Sequence, residues 1–181
     1  MRKGGSNRWT DDETDRFFRF LGQYVAIFQW IEAQLDQIIL LAHGHENWSN
    51  THAKLANLRN AQKIADVKKV VTGLGPFERS KEHTDWCAHF ANLIVRLRQE
   101  GRRRNDIVHS QYLFDFVEAG MPPLRSVRRK ENGKVVFEQE FFDLKRMDII
   151  LEGLATLAFE VSQARIQLVH WYRPDGMQAS S

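Results

Sequence analysis

Residues 10–42, TDDETDRFFRFLGQYVAIFQWIEAQLDQIILLA, decide the fold class. Thr10-Asp11-Asp12-Glu13 has the form of a capping box, in which a threonine and a glutamate three residues on satisfy the first free N–H groups of a helix. Phe17, Phe20, Leu21, Tyr24, Phe28, Ile31, Leu35, Ile38 and Ile39 then recur at steps of three and four. That period puts them on one face of a long amphipathic helix ending near Ala42, and His43-Gly44-His45 closes it.

Working outward, the same reasoning predicts a second helix over 50–72, stopped by Gly73-Leu74-Gly75-Pro76. A third is expected over 77–100, with Trp86, Phe90, Leu93, Ile94 and Leu97 as its stripe and Gly101 as its break. A short helix through Tyr112 to Phe116 should follow. Gly120 to Pro123 is not helical. Asn132-Gly133 is a strong hairpin signal, and alternation of Val135, Phe137, Gln139 and Phe141 predicts a β-hairpin over 124–141. Asp143 is placed to cap a last helix reaching Pro174, with Phe142 and Met147 as its hydrophobic staple. The expected class is all-α in the main, a four-helix bundle with one inserted β-hairpin before the last helix. One domain over 1–181 is expected, flexible over 1–9 and 173–181.

The chain has 181 residues, 43% hydrophobic and 27% charged, with a net charge of +3, an ordinary globular composition. So small a net charge does not by itself indicate nucleic acid; a local basic patch is needed. The single cysteine, Cys87, excludes an internal disulfide and fits a reducing compartment. No stretch reads as a membrane span or signal core. A cytoplasmic protein is expected, with no membrane partner.

The candidate functional centre is Arg104-Asn105-Asp106-Ile107-Val108-His109. On a helix, Asn105 and His109 share a face, whereas Arg104 is turned roughly 140° away. Arg104 is therefore expected at a helix start, where N–H groups and partial positive charge favour anions. Arg96, Arg98, Arg102, Arg103 and Arg104 crowd nine residues against Glu100 alone. Arg125, Arg128, Arg129, Lys130 and Lys134 lie on the expected hairpin. If the two groups meet, Arg102, Arg103, Arg128, Arg129 and Lys130 make a basic surface for RNA.

This pattern, Arg-Asn-x-x-x-His after the third helix of a helical bundle, resembles the HEPN superfamily, as do the flanking Ile107, Val108 and Ser110. The resemblance implies a homodimer with its two motifs facing, and metal-independent RNA cleavage in active members, with no cofactor. It also implies toxin or phage-defence roles with an antitoxin or defence-system partner. Members controlled by a nucleotidyltransferase antitoxin often carry tyrosine two residues after the histidine; here that position is Gln111, and Tyr112 follows. His109 suits proton transfer, Arg104 suits charge stabilisation on phosphate, and Asn105 suits orientation of either. Glu32, Ser110 and Tyr112 are supporting candidates, with Glu32 either orienting Arg104 or His109 or standing in water at the helix edge. The alternatives are a non-catalytic dimeric module that binds nucleotides or RNA, and a structural helical interaction protein.

Other groups invite weaker readings. His43, His45, Glu46 and His52 make a poor chelate, and His83, Cys87 and His89 do not share one face, so no metal is expected. Trp9, Trp30, Trp48 and Trp171 are read as packing residues rather than base-stacking platforms.

Overall fold

The structure, a computed structural model, describes residues 9–131 and 134–172, with the backbone alone for 129–131 and 134. The protein is mainly helical with a small antiparallel sheet. In order come α1 (Asp11–His43), α2 (Trp48–Leu55), α3 (Asn60–Thr72), α4 (Thr84–Val108), β1 (Gln111–Leu113), β2 (Leu124–Glu131), β3 (Lys134–Phe141) and α5 (Leu144–Trp171). The chain divides into two compact units. One holds Met1–Ala26 and Arg102–Gly153, the other Ile27–Gly101 and Leu154–Ser181.

The start of α1 forms as its sequence predicts. Thr10 N–H donates to Glu13 Oε2 at 2.7 Å, and Glu13 N–H to Thr10 Oγ1 at 3.3 Å. Trp9, expected within a frayed end, is buried; its N–H donates to the Gly120 carbonyl at 2.8 Å and its indole to Thr14 Oγ1 at 3.0 Å. The left-handed φ of +73° at Gly44 ends α1, a conformation that costs a glycine little. Contrary to the expectation that no stretch has the length and apolar character of a membrane span, α1 is long and apolar enough for one by length and composition. The stripe Phe17, Phe20, Tyr24, Phe28, Ile31, Leu35, Ile38 and Ile39 is buried, whereas Phe18 and Trp30 on the same helix are about half exposed.

The first unit is built around Phe17. Its ring lies edge-on to Tyr112 at 4.9 Å, Phe114 at 5.5 Å and Phe142 at 6.4 Å. Phe17, Tyr24, Ile107, Phe142 and Met147 are essentially sealed from solvent. The strand order is β1-β2-β3, antiparallel throughout. The hairpin bounds match the sequence reading, and its Asn132-Gly133 tip lies outside the described residues. The short helix expected through Tyr112 to Phe116 is absent, replaced by β1, which pairs Tyr112 with Arg125. Phe114 and Phe116 lie beyond this three-residue strand, whose pairing with β2 comes from residues distant in sequence. Asp143 caps α5 by accepting from Arg146 N–H at 2.8 Å, between the buried Phe142 and Met147. Pro174, the expected end of that helix, lies outside the described residues.

The second unit is helical. Here the predicted single helix over 50–72 is two. Asn57 donates its side-chain amide to the Ala53 carbonyl at 3.1 Å, competing with continued helix, and Gln62 accepts the Arg59 N–H at 2.9 Å to start α3. Polar links join the packed faces: Lys63 to Asp36 at 2.8 Å, Arg165 Nε to Gln34 at 2.6 Å, and Arg96 to Glu160. Gly101, expected as a break, lies inside α4. A Cβ there would stand 2.9 Å from Asn60 Oδ1, so glycine lets Asn60 approach the α4 backbone while its amide donates to Glu32 Oε1 at 3.1 Å.

Phe142→Ala should cost about 3–5 kcal/mol of stability, because an interior ring is lost and its pocket cannot close. Asp143→Ala, which removes only the cap, should cost about 1 kcal/mol. Denaturant unfolding of both variants checks the contrast, and equal costs would contradict it.

Candidate functional site

The motif closes a helix rather than opening one. Arg104 to Val108 form the last turn of α4, and His109 still donates its N–H to the Asn105 carbonyl at 3.0 Å. Arg104 is thus not at a helix start, and the anion-binding argument from free N–H groups does not apply. Helical packing favoured continuing α4 past Gly101, because Leu93, Ile94, Leu97 and Ile107 keep a buried stripe running through it.

The helix end is closed by groups that follow the motif. The last carbonyls of a helix lack partners within it. The Asn105 carbonyl takes the His109 N–H, the Asp106 carbonyl takes the Ser110 hydroxyl, and the Ile107 carbonyl takes the Tyr112 hydroxyl at 2.9 Å. Ser110 and Tyr112, supporting candidates from the sequence, hold the motif backbone through this cap. Ile107 anchors it from within, at 1% exposure.

The helical spacing brings Asn105 and His109 onto one exposed face, one turn apart. Arg104, half-buried, reaches round to donate from Nη1 to Asn105 Oδ1 at 3.3 Å. Arg102 and Arg103 are exposed. A guanidinium, an amide and an imidazole therefore border one open surface. Such groups can hold phosphate oxygens and move a proton beside them.

The hairpin contributes less positive charge than its sequence suggested. Arg125 is buried, ion-paired with Glu140, and lies over the Phe142 ring at 5.5 Å. Arg146 approaches the same ring at 5.8 Å and pairs with Glu140 at 2.5 Å. Arg125 therefore belongs to the interior and not to a basic surface. Its neighbour two places on, the buried Val127, marked that inward face in the sequence. Arg128 is exposed, while Arg129 and Lys130 lie in β2 with side chains outside the described residues. Glu32, half-buried, has Asn60 as a partner. Among the described residues, no three His, Cys, Asp or Glu side chains gather into a metal-ligand set. Trp30 and Trp48 are about half exposed, whereas Trp171 stacks on His83 at 4.4 Å.

Comparison of the chain with models of protein families, with curated proteins and with solved structures gives no significant match in any of the three.

Burial pushes the Tyr112 hydroxyl up to about 12, with Glu140 adding to the rise and Arg125 and Ser110 opposing it. The folded state therefore holds this proton more tightly than the unfolded chain, whose tyrosine titrates near 10. Stability from Tyr112 should be complete below about pH 10 and lost as pH rises towards 12. Tyr112→Phe should cost about 1 kcal/mol at neutral pH through the lost cap, yet show a shallower loss of stability in alkali. Unfolding midpoints across that range test this, and parallel curves for the two proteins would refute it.

Proposed function

We propose that this chain is a metal-independent endoribonuclease of toxin or phage-defence type, acting in the cytoplasm as a homodimer. The observation that carries the reading is the exposed pair of Asn105 and His109 on the capped last turn of α4, with the Arg104 guanidinium on Asn105. The resemblance of these residues and of the helical framework to the HEPN superfamily supports it, and on that reading the helices belong to a HEPN four-helix bundle.

The chemistry follows from the side chains. The 2′-hydroxyl of RNA attacks the adjacent phosphorus, the new O2′–P bond forms, and the P–O5′ bond breaks. One proton leaves the 2′-hydroxyl and one reaches the departing 5′-oxygen. His109 performs proton transfer, since imidazole titrates in the neutral range. Arg104 remains cationic and stabilises the negative charge that builds on the phosphoryl oxygens. Asn105, held by Arg104, orients the phosphate or the imidazole. A single imidazole is poorly suited to be base and acid in one step, so two motifs facing each other in a dimer supply one of each. Arg102, Arg103, Arg128, Arg129 and Lys130 are assigned to the RNA backbone, where their contribution weakens with salt. An antitoxin or defence-system protein is the expected regulator.

Purified protein in excess chelator should cleave mixed RNA and leave 2′,3′-cyclic phosphate ends. His109→Ala should slow cleavage by about 100-fold to 10,000-fold, the usual weight of a general acid or base. Arg104→Ala should slow it comparably. Cleavage by His109→Ala at the wild-type rate would exclude the mechanism. Salt-sensitive RNA binding without cleavage would establish instead the alternative, a non-catalytic dimeric module that binds nucleotides or RNA.

A further inference from the structure

Among the described residues, strand β3, KVVFEQEF over 134–141, is the edge of its sheet and pairs with β2 alone. Residues 135 to 139 are exposed on both faces of the strand, and three of them are apolar: Val135 at 45%, Val136 at 41% and Phe137 at 64% exposure. Soluble proteins blunt open edges with proline, bulges, short strands or charges, and the charges Glu138 and Glu140 of this strand lie past the uncharged run Val135 to Phe137. Here the strand has eight residues, contains no proline, and keeps an unbroken register from Phe141 opposite Leu124 to Lys134 opposite Glu131. A row of backbone N–H and C=O groups is left open beside exposed valine and phenylalanine.

We propose that β3 pairs antiparallel with β3 of a second copy of this chain, in register about Val136, joining two three-stranded sheets into one of six. The sequence of the strand selects both the occupant and the register. Alternate residues of an edge strand turn their backbone groups outward. A two-fold pairing must match outward positions with outward positions, so its axis passes through a residue and not between two. Centring on Glu138 sets two like charges face to face. Centring on Phe137 puts Val136 opposite Glu138. Centring on Val136 sets valine against valine and Val135 against Phe137 of the second copy. Aromatic with β-branched pairs are favoured cross-strand neighbours, and this register makes that pair twice. An unrelated extended peptide would have to supply that pattern; a second copy carries it.

The inference does not rest on the ribonuclease reading, because its readout needs no RNA. Strand pairing alone covers less than the roughly 1,200–2,000 Å² of a standard interface, so association should depend on concentration. In sedimentation velocity, Val136→Lys should lower the mass of the largest assembly, to half where β3 pairing joins two copies, with unchanged far-UV circular dichroism. In a Cys87→Ser background, Val136→Cys should form a disulfide with its own copy under mild oxidation, since residues directly opposite in adjacent strands stand within disulfide reach. Val135→Cys should cross-link to Phe137→Cys when the two are mixed, and not to itself. Unchanged mass for Val136→Lys would overturn the pairing. Cross-linking of Val136→Cys no faster than that of the exposed control Ser49→Cys would do the same, as would a monomer at every concentration.

Discussion

The edge-on contact of Phe17 with Tyr112 and Phe142 is the constraint on which the motif-bearing unit depends. Phe17 belongs to the first helix, Tyr112 to the strand after the motif, and Phe142 to the entry of the last helix. Three segments distant in sequence are fixed by one ring, which is itself fully buried. Once Tyr112 is fixed there, its hydroxyl reaches the Ile107 carbonyl and closes α4. The aromatic cluster therefore positions the Arg104 to His109 turn through its backbone. Beside Phe142, Glu140 pairs with the buried Arg125 and with the exposed Arg146, and both guanidiniums lie near the ring. Removing Glu140 would leave Arg125 buried beside an aromatic ring without its carboxylate, a far costlier state than the loss of an exposed pair.

The parts of this fold that could be read from sequence are those set by neighbours along the chain. The Thr10–Glu13 box, the Asp143 cap with Phe142 and Met147, and the limits of β2 and β3 all involve residues a few places apart. What escaped depends on distant partners. Gly101 resembles a helix breaker until Asn60 is seen against it. Tyr112 belongs to a strand only because residues 124–126 lie alongside, and three residues are too few for periodicity to declare. Arg125 reads as surface charge until Glu140 stands across from it. The α2–α3 interruption was hidden because Leu55, Leu58 and Ile64 allow a continuous stripe, while the Asn57 side chain redirects the backbone.

The shared face of Asn105 and His109 was legible in the sequence, and the setting of the motif was not. Asn105 and His109 share a face, as their spacing requires. Arg104 joins them by side-chain reach from within a helix, and not by a turn of the backbone at a helix start. That difference alters the electrostatics. The motif lies at a helix end and not at a start with free N–H groups, so any hold on an anion falls to its side chains.

The cap on α4 has a consequence for how this region tolerates change in length. The groups that close the helix lie downstream of His109, and Tyr112 is tied into both the sheet and the aromatic cluster. One residue added between His109 and Tyr112 would slip β1 by a position and turn the tyrosine to the opposite face. One residue added before Asn105 would rotate Asn105, Ile107 and His109 together by about 100° against the buried stripe upstream, Leu93, Ile94 and Leu97. The segment from Arg104 to Tyr112 is thus metered to the residue. Substitutions on its solvent side can be absorbed one by one, whereas insertions and deletions would dismantle helix end, strand and motif together.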